Sequence, residues 1–390
     1  MQVLITISII LFIFYAILII YYRFAFTSIP IIKQSNNKLI NQSTKLSIII
    51  PARNEEQNIE NCLQSILQNN YPSHLFEIIV VDDHSEDATA DIVRKYEQQN
   101  VKLISLNNFV TGKINSYKKK AIEVAIAHAN GTLIITTDAD CIVPNTWLQT
   151  IATFYEEKKP AFIASPVLIG ISWSLIQVFQ SLDFMTLQGI TAAVVYKKKM
   201  TMCNGANMAY EKNAFYEVGG FAGIDNIASG DDMLLMHKIY KRYPDRVLFL
   251  KSKDAIVKTA PVNTIQQFFN QRIRWASKAD KYEDKRILPV LVLVYFFNVM
   301  MLVFPIMGLF NNIQYSMFNV QCSMLGLWLW MLLFKIAVEL FFLFPVAAFF
   351  DKKYILWFFP FLQPFHICYT IIAGWLGKFG KYTWKEREVN

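Results

Sequence analysis

Thr132-Leu133-Ile134-Ile135-Thr136-Thr137-Asp138-Ala139-Asp140-Cys141 runs from a short apolar, β-branched stretch into two carboxylates one residue apart. The stretch 132–135 reads as a buried strand. Residues two apart on a strand share a side, so Asp138 and Asp140 are expected to converge at its C-terminal end. That end is where open α/β sheets bind ligands. Paired carboxylates are hard oxygen donors, suited to Mg²⁺ or Mn²⁺ holding a diphosphate. A D-x-D by itself is more often a solvated turn than a metal site, so the neighbouring segments decide.

Upstream, Leu46-Ser47-Ile48-Ile49-Ile50 reads as a strand ended by Pro51, followed by Ala52-Arg53-Asn54-Glu55-Glu56 and a helical pattern through Ile59, Cys62, Leu63, Ile66 and Leu67. Residues 76–81 form the next strand and run into Asp82-Asp83-His84-Ser85-Glu86-Asp87. A helix carrying Ile92, Val93 and Tyr96 follows, with Ser85 or Asp87 as its cap. Residues 101–106 predict a third strand, and 118–129 a helix leading into the D-x-D strand. Strand–helix alternation at this spacing predicts a parallel sheet with covering helices. No G-x-G-x-x-G or G-K-[ST] occurs, which argues against a dinucleotide fold or a P-loop.

Composition points to a membrane. Of 390 residues, 54% are hydrophobic and 15% aromatic, with a mean hydropathy of +0.29, above the usual soluble composition. The excess lies in residues 3–22, 287–310, 325–350 and 354–376, each near the roughly 20 residues that cross a ~30 Å hydrocarbon layer. The first run has no basic n-region and no A-x-A-like site, so it reads as an uncleaved anchor. Domain expectations are therefore 1–44 as anchor and linker, 45–281 as a cytoplasmic catalytic domain ending in an interfacial helix, and 282–390 as a membrane domain with a basic tail.

Arg23, Lys33, Lys278, Lys281, Lys285, Arg286, Lys352 and Lys353 flank the spans on the side of the large domain, which places that domain in the cytoplasm. The tail (Lys378, Lys381, Lys385, Arg387) is basic too, yet four full spans would put it outside. Pro360 and Pro364 break the last segment and leave a re-entrant or interfacial course open. The net charge of +8 is mostly membrane-flanking and does not call for nucleic acid. Five cysteines, odd in number and never spaced C-x-x-C, give no disulfide framework or zinc site. The five histidines show no metal-ligand spacing either.

The blocks S-I-I-I-P-A-R-N-E-E (47–56), V-D-D-H-S-E-D-A-T (81–89) and T-T-D-A-D-C-I-V-P-N-T-W-L (136–148) resemble family-2 glycosyltransferases of the GT-A fold. The later blocks N-G-A-N-M-A-Y (204–210), V-G-G-F (218–221), S-G-D-D-M-L (229–234) and Q-R-I-R-W (271–275) extend the resemblance in order. It implies a membrane-integrated, metal-dependent, inverting enzyme, similar to the cellulose, chitin and hyaluronan synthases and to ceramide glucosyltransferases. The implied donor is a nucleotide-sugar, UDP-linked by preference, and the cofactor Mg²⁺ or Mn²⁺.

On this resemblance Asp140 is the metal ligand and Asp138 lies nearer the ribose or base. Pro51, Ala52, Glu55, Asp82 and Asp83 line the nucleotide, and Lys118 faces the diphosphate. Asp232 matches the base in the family's E-D pair, and Asp231 stands where Glu is usual. Gln271, Arg274 and Trp275 match Q-x-x-R-W and would face the acceptor or diphosphate.

Blander readings accompany these. Glu55 and Glu56 suit a helix first turn. Asp231 and Asp232 could be exposed helix caps, and Lys118-Lys119-Lys120 a solvated run. Residues 264–278 suit an amphipathic surface helix, and Lys335 with Glu339 an i, i+4 pair inside a span.

The acceptor is expected to be a membrane lipid or a growing glycan. Three C-terminal spans give little wall for a secretion channel unless the chain forms a homo-oligomer or has a secretion partner. Two other readings compete: a nucleotidyltransferase, which gives Gln271, Arg274 and Trp275 no role, and a non-catalytic membrane scaffold or sugar-nucleotide sensor.

Overall fold

The structure, a computed structural model, describes residues 2–33, 43–227, 230–277, 283–310, 314–317, 320–379, 382–384 and 387–389. Ser229 of the 229–234 block, and the flanking Lys278, Lys281, Lys381 and Lys385, lie outside the described residues.

The N-terminal run is one helix, α1 (Gln2–Ser28). Then come β1 (Leu46–Ala52), α2 (Ile59–Leu67), β2 (Phe76–Asp82), α3 (Thr89–Arg94), β3 (Val101–Ser105), α4 (Tyr117–His128) and β4 (Leu133–Thr136), close to the predicted alternation. The N-cap position of α3 is Ala88, not Ser85 or Asp87; Asp87, one residue earlier, accepts the backbone N–H of Thr89 at 3.0 Å. β5 (Cys141–Ile142), α5 (Trp147–Lys158), β6 (Phe162–Ala164), β7 (Val167–Ile169), α6 (Leu175–Tyr196), β8 (Met208–Glu211), α7 (Lys212–Glu217), α8 (Met233–Arg242), β9 (Val247–Phe249), β10 (Val257–Thr259) and α9 (Ile265–Ala276) complete this part.

The main sheet has seven strands in the order β3-β2-β1-β4-β8-β6-β9. β1 to β4 are parallel, as expected, but β8 inserts antiparallel between β4 and β6. The sheet is therefore mixed, which corrects the parallel expectation. Its alternating side chains feed two cores: Ile48, Ile50, Ile78 and Val80 on one face, Ile49, Ile79 and Val81 on the other, as the period-2 pleat requires. A small sheet has the order β5-β10-β7, and its strand β5 follows β4 after the turn 137–140.

After α9 come α10 (Ile287–Phe310), α11 (Met324–Phe349) and α12 (Phe359–Phe379). Among the described residues, five helices are long and apolar enough to cross a membrane: α1, α6, α10, α11, and the segment Lys353–Phe379 that contains α12. The fifth, α6, was not foreseen. Gln177, Gln180, Asp183 and Gln188 interrupt its apolar sequence, yet all four are buried.

The polar side chains of the spans are tied together. Lys335 Nζ donates to Glu339 Oε1 at 2.7 Å and to Gln363 Oε1 at 2.6 Å, Gln363 Nε2 returns a bond to Glu339 Oε2 at 2.8 Å, and the Tyr15 hydroxyl donates to Glu339. This network joins α1, α11 and α12, so the i, i+4 pair is a buried junction of three helices.

Pro360 sits in the first turn of α12, where no intrahelical N–H is needed, and Pro364 lies inside the helix without ending it. α12 lies lengthwise on α9. Phe268 meets Phe365 and Tyr369 at ring distances of 6.0 and 5.3 Å, and a Cβ on Gly377 would stand 2.5 Å from Ala276 Cβ.

Candidate active site

The D-x-D carboxylates sit beyond the strand, not on it. β4 ends at Thr136, and Asp138-Ala139-Asp140 forms a turn closed by Cys141 N–H donating to Asp138 O at 3.2 Å. Their convergence comes from that turn instead of strand alternation. Asp140 Oδ2 accepts from Thr259 Oγ1 of β10 at 3.2 Å. Burial, with the nearby carboxylates of Asp138 and then Glu55, pushes the Asp140 pKa up to about 6.

Lys118 answers part of this negative charge. From the first turn of α4 its Nζ reaches Asp138 Oδ1 at 2.7 Å and Asp231 Oδ2 at 3.2 Å. Burial alone would lower its pKa, but Asp138 and then Asp231 hold it above the ordinary lysine value. The solvated-run reading fails for two of the three lysines. Lys119 is 1% exposed and donates to Ile224 O and Ile227 O at 2.6 and 2.7 Å; Lys120 alone pairs at the surface, with Glu123.

Asp231 is buried and Asp232 half-buried, so neither is an exposed cap. Asp232 is nonetheless the N-cap of α8. Its Oδ1 accepts Met233 N–H at 2.7 Å and its Oδ2 accepts Gly205 N–H at 3.2 Å. Gly205 is small for a reason: a Cβ there would stand 3.3 Å from Asp231 Oδ2 and 3.5 Å from Lys118 Nζ. Asn207, two residues on, is wholly buried and structural, bonding Pro166 O, Ala255 O and the Trp147 indole N–H.

A second rim forms where β1 and β2 end. Asp83 N–H donates to Ala52 O at 2.7 Å, and Arg53 Nη1 donates to Asp83 O at 3.1 Å and to His84 O at 3.3 Å. Asp82 Oδ1 accepts Ser85 N–H at 3.2 Å, and Asp83 Oδ1 is 2.9 Å from His84 Nδ1. Glu55 holds Asn58 Nδ2 at 2.9 Å while its own N–H donates to Thr89. Glu55 thus serves the helix start and also lends its charge to Asp140. Pro51 is half-buried beside it.

Gln271, Arg274 and Trp275 lie on α9, which opens with a Thr264–Gln267 capping box. Its apolar face is covered by α12 and α6, so it is not a free surface helix. Trp275 packs on the core that contains Ala139 and Cys141, with its ring 6.0 Å from that of Phe184. Beside it, Arg272 is 4% exposed and ion-paired to Asp183.

Among the described residues, no three carboxylate, His or Cys side chains gather into a self-sufficient metal site. The donor set still fits a divalent cation that completes its shell with diphosphate oxygens, the mode Mg²⁺ prefers. Asp140, crowded by Asp138 and Glu55, holds excess negative charge, and Lys118 offsets only the Asp138 side.

Residues 47–219 match the family model described as Glycosyl transferase family 2. This segment is a family 2 glycosyltransferase domain. A probable glycosyltransferase, YdaM, of Bacillus subtilis is 28% identical over 242 residues, 60% of this chain and 54% of that protein. The poly-beta-1,6-N-acetyl-D-glucosamine synthase of Staphylococcus epidermidis is 22% identical over 238 residues, 59% of this chain and 53% of that one. The chain thus spans about half the length of these curated relatives. Among solved structures, the mannosyltransferase PcManGT of Pyrobaculum calidifontis, in complex with GDP-Man and Mn²⁺, is 18% identical with a TM-score of 0.57, over 96% of this chain and 98% of that one. That likeness concerns the fold, which is GT-A-like.

The structure gathers Glu55, Lys118, Asp138 and Asp140 of the glycosyltransferase segment with Asp231 and Asp232, which follow it in the chain, at one end of the sheet, and sets Pro51, Ala52, Asp82 and Asp83 on the adjoining rim. Sequence reading missed Arg53, Gly205 and Thr259. Arg53 sits within a quoted block and was legible there, whereas Thr259 reaches Asp140 only through the antiparallel pairing of β10 with β5.

Proposed function

We propose that the chain is a membrane-integrated, metal-dependent, inverting glycosyltransferase that moves a sugar from a nucleotide-sugar, UDP-linked by preference, to a membrane-associated lipid or glycan acceptor. The observation that carries this reading is the Lys118 ammonium set between Asp138 and Asp231, with Asp232 and Asp140 alongside.

In this reading Ala52, Arg53, Asp82 and Asp83 hold the nucleoside, and Pro51 and Glu55 border it. Asp140 would hold the divalent ion, which supplies charge neutralisation of the leaving diphosphate, and Asp138 lies nearer the ribose or base. Lys118 adds positive charge from the opposite side. Asp232 takes the proton of the attacking acceptor hydroxyl, its carboxylate aimed by the two N–H groups it accepts. Asp231, a residue shorter than the usual Glu, holds Lys118 in place. Trp275 offers a face for an acceptor ring, and Gln271 and Arg274 offer donors to sugar or phosphate.

The architecture follows the same boundaries, 1–44, 45–281 and 282–390, with α1, α10 and α11 as spans and the catalytic domain cytoplasmic. α12, bound along α9, fits an interfacial or re-entrant course, which would return the basic tail to the cytoplasmic side.

The test is donor turnover in membranes, with UDP-sugars and GDP-mannose in turn, with Mn²⁺ or Mg²⁺, beside Asp232→Asn. Asp232-dependent label in the organic phase supports a glycolipid product, and label in precipitable polymer a polysaccharide. No donor consumed, or full turnover by Asp232→Asn, overturns the reading and favours a sensor or scaffold.

A further inference from the structure

Three polar residues of α6, Gln177, Gln180 and Asp183, serve the lead-in or the body of α9, whereas Gln188 accepts Val167 N–H of β7 at 3.0 Å. Gln177 Nε2 donates to Asn263 Oδ1 at 3.1 Å. Gln180 both donates to Val262 O at 2.8 Å and accepts Val262 N–H at 3.1 Å. One turn further, Asp183 Oδ2 meets Arg272 Nη2 at 2.7 Å, with both side chains at 5% exposure or less. The other oxygen of Asp183 accepts the Tyr369 hydroxyl from α12. The guanidinium of Arg272 then lies 4.3 Å from the centre of the Trp275 ring and 4.9 Å from that of Phe268.

A buried ion pair is a weak source of stability, since desolvation cancels most of its attraction. Apolar side chains would join the two helices as firmly. A guanidinium charge anchored by a buried carboxylate does something they cannot: it holds a cation at a set place 4.3 Å from the indole centre, and the ring is drawn against that cation.

We infer that Asp183 and Arg272 are positioning residues that set the orientation of the Trp275 indole toward the acceptor, with Tyr369 locking Asp183 from α12. The inference rests on the proposed acceptor role of Trp275. It makes acceptor alignment a property of the helix layer under the catalytic domain. α6 carries the load to α1 and α11: a Cβ on its Gly189 would stand 2.7 Å from Val346 and 2.9 Å from Phe342.

The experiment uses the full chain in native membranes, with the nucleotide-sugar found to turn over there. It measures the ratio of sugar transferred to membrane acceptor over sugar released to water. Misfolding lowers both rates together, whereas a misplaced indole lowers only transfer. Asp183→Asn and Arg272→Lys are expected to lower the ratio about tenfold, with donor KM and hydrolysis within about twofold of wild type. Asp183→Glu should recover part of the ratio. Tyr369→Phe, which loses one hydroxyl, is expected to lower it about two- to threefold and carries the test if Asp183→Asn fails to fold.

An unchanged ratio in these variants, while Trp275→Ala lowers it, overturns the inference alone. An unchanged ratio in Trp275→Ala overturns the acceptor reading on which it rests.

Discussion

The Lys118 ammonium stands 3.2 Å from Asp231 while holding Asp138 at 2.7 Å, and so connects the D-D helix to the D-x-D turn through one side chain. Three segments far apart in sequence meet at that cation, and the site's charge balance depends on it.

Lys118→Met is expected to leave two carboxylates facing each other without a counter-ion. Transfer should fall by about two to three orders of magnitude, the scale of losing one preorganised electrostatic contact. Donor KM should rise with it. Lys118→Arg should retain part of the activity, because the charge remains while the reach differs. Steady-state kinetics on the three proteins check this.

Asp232→Asn separates the two tasks of that residue. Asn keeps one oxygen for the Met233 N–H cap but loses the acceptor that holds Gly205 N–H, so the melting temperature should fall modestly while transfer falls about a thousandfold. Asp232→Ala should lose both, with a stability cost of about 1 kcal/mol from the missing cap. A thermal melt beside an activity assay tells them apart. Retained activity in Asp232→Asn would reduce the residue to its capping role.

The pH dependence follows from Asp140. Its carboxyl, at about 6 in the folded chain against 3.8 ordinarily, must be ionised to bind a cation. Mn²⁺ affinity should therefore fall about tenfold per unit as pH drops below 6. The folded metal-free state binds this proton more tightly than the unfolded state does. The stability cost of ionising Asp140 thus grows as pH rises from 3.8 to 6 and is complete above 6. Asp140→Asn should raise the metal-free melting temperature at pH 7–8, leave it nearly unchanged near pH 4, and abolish metal stabilisation. Melts with and without Mn²⁺ across pH 4–8 measure all three effects.

Lys335→Met should strand Glu339 as a buried charge at the three-helix junction. Breaking one partner of such a pair costs about 3–5 kcal/mol. Lys335→Met with Glu339→Leu should recover much of that loss. Detergent-solubilised melts of the single and double variants form the cycle that measures it.

β1 to β4 and the carboxylates after them were legible because each strand is a local run of apolar residues and each carboxylate follows at a strand end. The antiparallel entry of β8 was not, because pairing Met208–Glu211 with Leu133–Thr136 is a choice between distant segments. α6 was missed because its glutamines and Asp183 dilute the apolar signal, and only their tertiary partners make them compatible with burial. Reading Q-R-I-R-W by motif spacing singled out Gln271, Arg274 and Trp275 and passed over Arg272, which is buried and ion-paired to Asp183. Asp138 and Asp140 were rightly placed beside each other on a wrong premise, since a turn replaces the extended chain there. The three lysines of 118–120 face three different surroundings, a distinction that no run of like charges displays.

The lengthwise seating of α12 on α9 also orders events during synthesis. Asp183 and Arg272 leave the ribosome well before Tyr369, so the pair lacks its third member until the last long helix is made. The helix bearing Trp275 would reach its final setting only then, and a nascent chain still being inserted would hold donor without an aligned acceptor.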